Sequence, residues 1–309
     1  MAKKWVAAGP GGIDELEYVD AEVPAPGPGE VTVTVRAAGV NPADYKHLSR
    51  ASSFPVGIGY EVAGVITTVG DDAVLGSGEA ATVGTEVIGF RVAGGYATAI
   101  TIPAADVFRK PEALSFPEAA NLLLAGTTAA EMLDVTKVTA SETVLIHAAS
   151  GAVGVSALQQ AHRAGARVIG TGSPSSFDRI RSFGGEPVAY GPGLEERVRD
   201  LAPEGVDAVL DAVGTEEAVS VSMAVLRDRA RAVTIVRNSA TDAAGMTPIG
   251  SAMPASKAFR DAVRGTLVAA AAAGELVVPL ASTYPLTDAP DALRLLRRGH
   301  PGGKIALVP

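Results

Sequence analysis

Cysteine is missing from all 309 residues. Its absence removes disulfides, thiolate nucleophiles and any zinc or iron–sulfur centre built on thiolate, and it fits a reducing compartment. Histidine is scarce too: the chain holds His47, His147, His162 and His300, with no metal-ligand spacing among them, so no metal is expected. Seven Phe, six Tyr and one Trp leave few rings to stack on a large aromatic ligand, which favours a small or aliphatic one. Basic residues are outnumbered, 26 Lys and Arg against 34 Asp and Glu for a net charge of −8, and no run of them exceeds two. That balance argues against a nucleic-acid partner. The opening MAKKWVAAGPGG carries two lysines with no apolar stretch behind them, so no secretory signal is expected and the setting reads as cytoplasmic. Residues 143–162 run without Asp, Glu, Lys or Arg, but the Gly, Gln and His among them argue against a membrane span.

What is present points to a globular chain in two domains. The length exceeds one ordinary core. Hydrophobic residues reach 47% and charged residues 19%, with a mean hydropathy of +0.25, a composition that can bury enough apolar surface to fold. No fixed-period repeat is visible.

The first third reads as β. Val31, Val33 and Val35 alternate with Thr32 and Thr34, the period-2 pattern of a half-buried strand, and further short strands are predicted at 60–69, 85–91 and 96–102. The character changes at Ser115, where Ser115, Pro117 and Glu118 form a capping-box pattern that opens a helix predicted to run to about residue 134. Beyond it the signals alternate: strand 143–147, helix 153–164, strand 166–170, helix 175–183, strand 206–211, helix 216–226 and strand 230–236. Such βαβ alternation predicts an α/β fold with a doubly wound parallel sheet. A long helix at 254–273, a short element at 277–279, a helix at 289–298 and a strand at 304–308 complete the chain and could belong to either domain.

The strongest local signal is the run Ala149-Ser150-Gly151-Ala152-Val153-Gly154, a dinucleotide fingerprint with alanine in place of the first glycine, set between a predicted strand and a predicted helix. Gly151 lets backbone approach a pyrophosphate, Gly154 lets the helix pack on the strand, and the helix start offers free N–H groups and the positive end of its dipole. An NAD site wants a carboxylate at the end of the second strand. Here that end reads Gly170-Thr171-Gly172-Ser173, and no acid occurs before Asp178. Nothing there would repel a 2′-phosphate, and Ser173, Ser175, Ser176 and Arg179 could receive one. NADPH is therefore expected over NADH; equally, one of these serines could simply cap the next helix.

At this point the residues resemble a family. The stretches PGPGEVTVTVRAAGVNPADYK (26–46), GYEVAGVITTVG (59–70), LSFPEAANLLLAGTTAAEML (114–133), HAASGAVG (147–154), GVDAVLDAVG (205–214) and HPGGKIALVP (300–309) are similar to those of zinc-independent medium-chain dehydrogenase/reductases of the NADPH:quinone oxidoreductase group, the zeta-crystallin type. The resemblance implies a GroES-like β-domain over 1–118 completed by 275–309, a Rossmann NADP(H)-binding domain over 119–274, and a homodimer. It also implies that Asn41 hydrogen-bonds cofactor or substrate, that Tyr45 or Lys46 is the polarising donor, that Thr128 lies near the nicotinamide and that Tyr190 lies beside the 2′-phosphate. For Tyr45 and Lys46 an ordinary surface pair is the competing reading, and for Asp44 a structural turn or cap.

Two departures stand out. Tyr60 occupies the place of the Gly-His-Glu histidine of the zinc alcohol dehydrogenases. The family's Pro-Gly-Gly-Arg turn is replaced by Arg227-Asp228-Arg229-Ala230, and the next strand ends in Val236-Arg237-Asn238-Ser239, which would put Arg237 and Asn238 near the nicotinamide. Without a metal to hold an alkoxide, hydride delivery to an activated acceptor is the easier chemistry. The expected function is thus a reductase of a small-molecule quinone or α,β-unsaturated carbonyl. Two alternatives stay open: an enoyl-thioester reductase, for which Arg294, Arg297 and Arg298 could form a small basic patch, and a crystallin-like nucleotide-binding protein with little turnover.

Overall fold

The computed structural model describes residues 1–48, 51–250, 252–299 and 302–309; His300 lies outside the described residues. The chain divides into two compact units, one of Met1–Leu124 with Gly265–Pro309 and one of Ala125–Arg264.

The first unit is mostly β. Strands β1 (Ala2–Ala7), β2 (Leu16–Ala21), β3 (Glu30–Val40), β4 (Val56–Gly57), β5 (Glu61–Val69), β6 (Glu86–Phe90), β7 (Ala99–Pro103) and β8 (Val107–Arg109) precede its helix α2 (Phe116–Ala119), and the short helix α1 (Pro42–Lys46) follows β3. β1 pairs antiparallel with β2 and β4. The larger sheet is built on β3, which pairs antiparallel with β5 and β7. The period-2 reading of β3 is met in part: Val31, Val33 and Val35 enter the core and Thr34 is exposed, but Thr32 is buried, its hydroxyl 2.8 Å from Thr101 Oγ1 of β7.

The capping box is formed, with Ser115 N–H donating to Glu118 Oε2 at 2.8 Å and Glu118 N–H to Ser115 Oγ at 3.4 Å. The helix it opens is short. Instead of one helix to residue 134 there are two, α2 and α3 (Leu123–Val135). Asn121 interrupts them by turning its amide back to Pro117 O (2.9 Å) and across to Ile305 O (3.2 Å).

The second unit carries strands β9 (Thr143–His147), β10 (Arg167–Gly172), β11 (Gly185–Ala189), β12 (Ala208–Asp211), β13 (Ala232–Thr234) and β14 (Thr247–Pro248). They form one parallel sheet in the order β11-β10-β9-β12-β13-β14. Helices α4 (Ala152–Arg163), α5 (Phe177–Ser182), α6 (Leu194–Leu201), α7 (Glu216–Val225) and α8 (Ser239–Ala243) connect them. Alternate residues of β9 explain the layering. Val144 and Ile146 join Met132, Leu158 and Ile180 of α3, α4 and α5 in one core, while Leu145 joins Val198 and Val219 of α6 and α7 in another. A parallel sheet buried on both faces needs this two-sided apolar strand.

Helix α9 (Pro254–Ala272) leads back to the first unit, where β15 (Leu280–Pro285), α10 (Ala289–Arg298) and β16 (Lys304–Val308) complete the larger sheet. β16 lies antiparallel to β3, pairing Ile305 with Val40. The sequence reading has no counterpart for β1, β2, β11 or α6, and it puts the element before α10 at 277–279 instead of 280–285. Among the described residues no helix is long and apolar enough to cross a membrane.

One interaction in the second unit is costly to break. Glu131 of α3 and Arg260 of α9 meet at 2.5 Å with side chains 5% and 6% exposed. Removing one partner leaves a buried charge without compensation. Arg260→Leu is expected to lower the unfolding free energy by about 3–5 kcal/mol, and Glu131→Leu with Arg260→Leu to recover most of it; urea unfolding of the three chains measures both.

Candidate active site

In the second unit the fingerprint closes over a tight approach of helix and strand. A Cβ on Gly154 would stand 2.3 Å from Ala148 O and 2.6 Å from Ala149 Cα, backbone atoms that cannot move aside, so only glycine lets α4 start here. Gly151 is the N-cap and exposed, and no side chain caps the helix. The amides of Ala152, Val153 and Gly154 therefore begin a twelve-residue helix at its positive end with no side-chain acceptor, an arrangement suited to an anion. Ser150, Ala152 and Val153 are half-buried beside it.

Beneath the loop runs a directional chain of hydrogen bonds. Ser222 Oγ donates to Ala218 O (2.6 Å) and so accepts from His147 Nε2 (3.1 Å). Thr171 Oγ1 accepts from Ala148 N–H (3.1 Å) and lies 3.4 Å from His147 Nδ1. Burial holds the His147 imidazole down to about 4, against the pull of Asp211 and Glu217, so the ring is neutral and structural at physiological pH. Asp211 ties β12 to its neighbours, accepting from Val213 and Gly214 N–H at 3.1 and 2.9 Å and from Thr234 Oγ1 at 2.6 Å.

At the end of β10 the structure brings Tyr190 to Gly172 and Ser173 to the serines that follow it, and Arg179 lies in the next helix, α5. Tyr190 N–H reaches Gly172 O at 3.4 Å, and its ring is half exposed. Ser173 Oγ lies 2.9 Å from Ser175 Oγ, and Ser176 Oγ donates to Ser173 O at 2.7 Å. Arg179 Nη1 is buried with no hydrogen-bond partner among the described residues. The first acid after the strand, Asp178, is paired with Arg181 at 3.0 Å. Asn238 caps α8, accepting from Ala240 and Thr241 N–H at 3.0 Å and donating to Gly214 O at 2.8 Å. Arg237 pairs with Asp242 at 3.1 Å. Thr128 is buried in α3.

The first unit holds a second polar centre, wholly out of water. Asn41, Asp44, Glu61, Tyr96 and Lys304 are all buried. Asn41 N–H and Tyr96 Oη–H both donate to Asp44 Oδ2 at 2.7 Å. Asn41 Nδ2 donates to Glu61 Oε1 at 3.1 Å, and Lys304 Nζ donates to Asn41 Oδ1 at 2.5 Å. Both ends of the Asn41 amide are thus engaged within the protein. Burial raises the Asp44 carboxyl to about 7, opposed by its bonds from Tyr96 and Asn41 and by Lys304. Burial also raises Glu61, opposed first by Lys304, and lowers Lys304, opposed by the two carboxylates. Tyr45 packs on the core of this unit, and burial raises its phenol while Arg297 of α10 opposes; Lys46 is exposed.

Beside this cluster His47 Nδ1 and Tyr60 Oη lie 2.8 Å apart with their rings edge to face. Sequence reasoning names Asn41 and Asp44 but not Glu61, Tyr96 or Lys304 as their partners. The available signal was a lone charge in each apolar strand, Glu61 at the head of EVAGVITTV and Lys304 at the head of KIALV. Among the described residues no three His, Asp or Glu side chains gather as a metal set.

Comparisons with known proteins agree on the architecture. The family model described as alcohol dehydrogenase GroES-like domain matches residues 27–112, and that described as zinc-binding dehydrogenase matches 187–307. The synaptic vesicle membrane protein VAT-1 homolog of Mus musculus is 36% identical over 219 residues, 68% of this chain and 53% of that protein; the chain thus spans about half the length of this curated relative. Among solved structures, a quinone oxidoreductase of Pseudomonas syringae pv. tomato DC3000 is 29% identical with a TM-score of 0.85, covering 100% of each chain. The CurK enoyl reductase is 27% identical with a TM-score of 0.87 over 99% of each. A mycobacterial protein solved with NADPH is 29% identical with a TM-score of 0.84 over 100% of each.

The Asp44 carboxyl gives a pH signature. Its pKa rises from 3.8 to about 7 on folding, so between those values the folded chain holds a proton that the unfolded chain has released. The stability from that proton is full below about 4 and is lost as pH rises toward 7. Relative to Asp44→Asn, which keeps an acceptor for Tyr96 and Asn41, the wild type is expected to lose stability from pH 5 to pH 8. The slope inside the window is about 1.4 kcal/mol per pH unit. Urea midpoints of both chains at four pH values measure the difference, and parallel curves would mean that Asp44 is already ionised at pH 5.

Proposed function

The chain belongs to the medium-chain dehydrogenase/reductase family, in its quinone oxidoreductase type, and from that premise we propose that it is an NADPH-dependent reductase passing hydride to a quinone or an α,β-unsaturated carbonyl without a metal. The observation that carries this reading is the end of β10 in the second unit, where no acid precedes Asp178, together with Ser173, an Arg179 Nη1 that has no hydrogen-bond partner among the described residues, an exposed Tyr190 and an uncapped helix start. These residues fit a dinucleotide with a 2′-phosphate. The amides of Ala152 to Gly154 would hold the pyrophosphate, and Arg179 with Ser173 the 2′-phosphate. The mycobacterial neighbour solved with NADPH supports the choice. Bound NADPH supplies a hydride at the nicotinamide C4.

The donor set for zinc is lacking. There is no cysteine, and Tyr60, in place of the zinc enzymes' histidine, is hydrogen-bonded to His47. The protein's own contribution is then orientation and a hydrogen-bond donor for the oxygen that gains charge in the acceptor. Asn41 acts here as a positioning residue, its amide held by Lys304 and Glu61. A homodimer in the cytoplasm acting on a small molecule completes this reading.

An enoyl-thioester reductase is the second reading, favoured by the CurK enoyl reductase neighbour. The arginines of α10 lend it less support, because Arg294 is bonded to both Asp14 and Asp291 at 3.0 Å.

Fluorescence titration with NADPH and NADH, followed by NADPH consumption with quinones, enones and an enoyl thioester, tests the proposal. Tight NADPH binding with quinone or enone turnover is the expected outcome. Turnover of the thioester alone selects the second reading, and binding without turnover favours a crystallin-like role. Arg179→Ala should weaken NADPH by roughly 10- to 100-fold, the scale of one charge-assisted contact, and leave NADH within about twofold. Equal losses for both nucleotides would remove Arg179 from the 2′-phosphate site.

A further inference from the structure

The reduction needs a proton as well as a hydride, and the first unit offers one phenol built for the task. Tyr60 is half-buried, the residue before β5, and its hydroxyl lies 2.8 Å from His47 Nδ1 at the end of α1. Both residues are held from behind. Asn41 at the start of α1 is bonded to Glu61, the residue after Tyr60, and Asp44 holds the α1 turn through Asn41 N–H. The Tyr60 carbonyl accepts from Val92 N–H at 3.2 Å. Gly59, at φ +102°, has the Tyr96 ring 2.4 Å from where a Cβ would stand, so the chain enters Tyr60 by one route. Loose surface tyrosines lack this support.

We propose that Tyr60 is the proton donor of the reduction, with His47 as the residue that positions it and stabilises its phenolate; this rests on the reductase reading above. In this arrangement His47 is the Nδ1–H tautomer and donates to the phenol oxygen, which leaves the Tyr60 O–H free for the substrate. Hydride adds to the β-carbon of an enone, a C–H bond forms, and the π pair moves to the carbonyl oxygen. The resulting enolate takes the Tyr60 proton as the O–H bond breaks. The phenolate, held by His47, recovers a proton from water, so each turnover consumes one hydride and one solvent proton. With a quinone the same proton goes to oxygen.

Electrostatics agree with the geometry. Burial raises the Tyr60 phenol and the charge of Asp44 raises it further, so it keeps its proton at neutral pH. The other charged groups near it, Glu61 and Lys304, are buried in the cluster and bonded to Asn41. Of the other phenols of this region, Tyr96 is buried and spends its proton on Asp44, and Tyr45 packs on the core of the first unit.

The test uses the full chain as wild type, Tyr60→Phe, His47→Leu and His47→Asn. Tyr60→Phe removes only the hydroxyl and should fold, with NADPH affinity within about twofold. Its kcat for an enone should fall roughly 10²- to 10⁴-fold, the range of general acid catalysis, and the loss of rate at alkaline pH should disappear. His47→Leu should fall less and should raise the tyrosinate transition that Tyr60 contributes to the ultraviolet difference titration, a readout independent of turnover. His47→Asn, whose amide can still donate, should recover part of both. If Tyr60→Phe turns over within about threefold of wild type with an unchanged pH profile, the assignment is overturned while the reductase reading stands. If the wild type binds NADPH but reduces neither quinone nor enone, that reading falls and this one with it.

Discussion

An ammonium, two carboxyl groups, an amide and a phenol share one dry site in the first unit, and the local structure depends on the hydrogen bonds among them. A charge moved from water into such a site is tolerated only when it is paired and hydrogen-bonded. Lys304 supplies the ammonium, Glu61 and Asp44 the two carboxyl groups, and Asn41 stands at the middle with both ends of its amide taken. The consequence is positional. Asn41 and Asp44 fix α1, Glu61 fixes the head of β5, and the two half-buried side chains that these elements carry, His47 and Tyr60, are held 2.8 Å apart.

The second unit applies the same logic with different chemistry. Beneath the fingerprint loop there runs a line of neutral groups, Ala148, Thr171, His147, Ser222 and Ala218, and the histidine stays uncharged because burial disfavours its cation. Neutral bonds suffice to hold a backbone loop. Open donors remain at the start of α4, whose first amides have no side-chain cap, and at Arg179 Nη1, which has no hydrogen-bond partner among the described residues. An open buried donor beside an uncapped helix start is a place where an anionic ligand can complete the set.

How much of this was legible in the sequence follows from the range of each interaction. Local patterns were legible: the alternation of Val31, Val33 and Val35, the capping box at Ser115 and Glu118, and the fingerprint from Ala149 to Gly154 all have causes within a few residues. β11 was not, because Gly185-Glu186-Pro187-Val188-Ala189 has weak strand propensity and forms only by pairing with β10. The highly charged α6, LEERVRDL, buries little beyond Leu194 and Val198, so its pattern is thin. The break between α2 and α3 depends on Asn121 finding Ile305 O, 184 positions away. The polar centre was hidden for the same reason: Asn41, Glu61, Tyr96 and Lys304 lie far apart in the chain, and no spacing rule connects them.

The discontinuity of the first unit sets an order of events during synthesis. The partner that Lys304 finds in Asn41 lies 263 positions earlier in the chain, and β16 pairs with β3. Until β16 exists, the Asn41 amide and Glu61 lack the ammonium that joins them in the finished unit, whereas every residue of the second unit, 125–264, precedes β16 in the chain. Long-range closure of this kind delays folding more than it limits final stability. The Tyr60–His47 pair is therefore expected to assemble late, after Lys304 has reached Asn41.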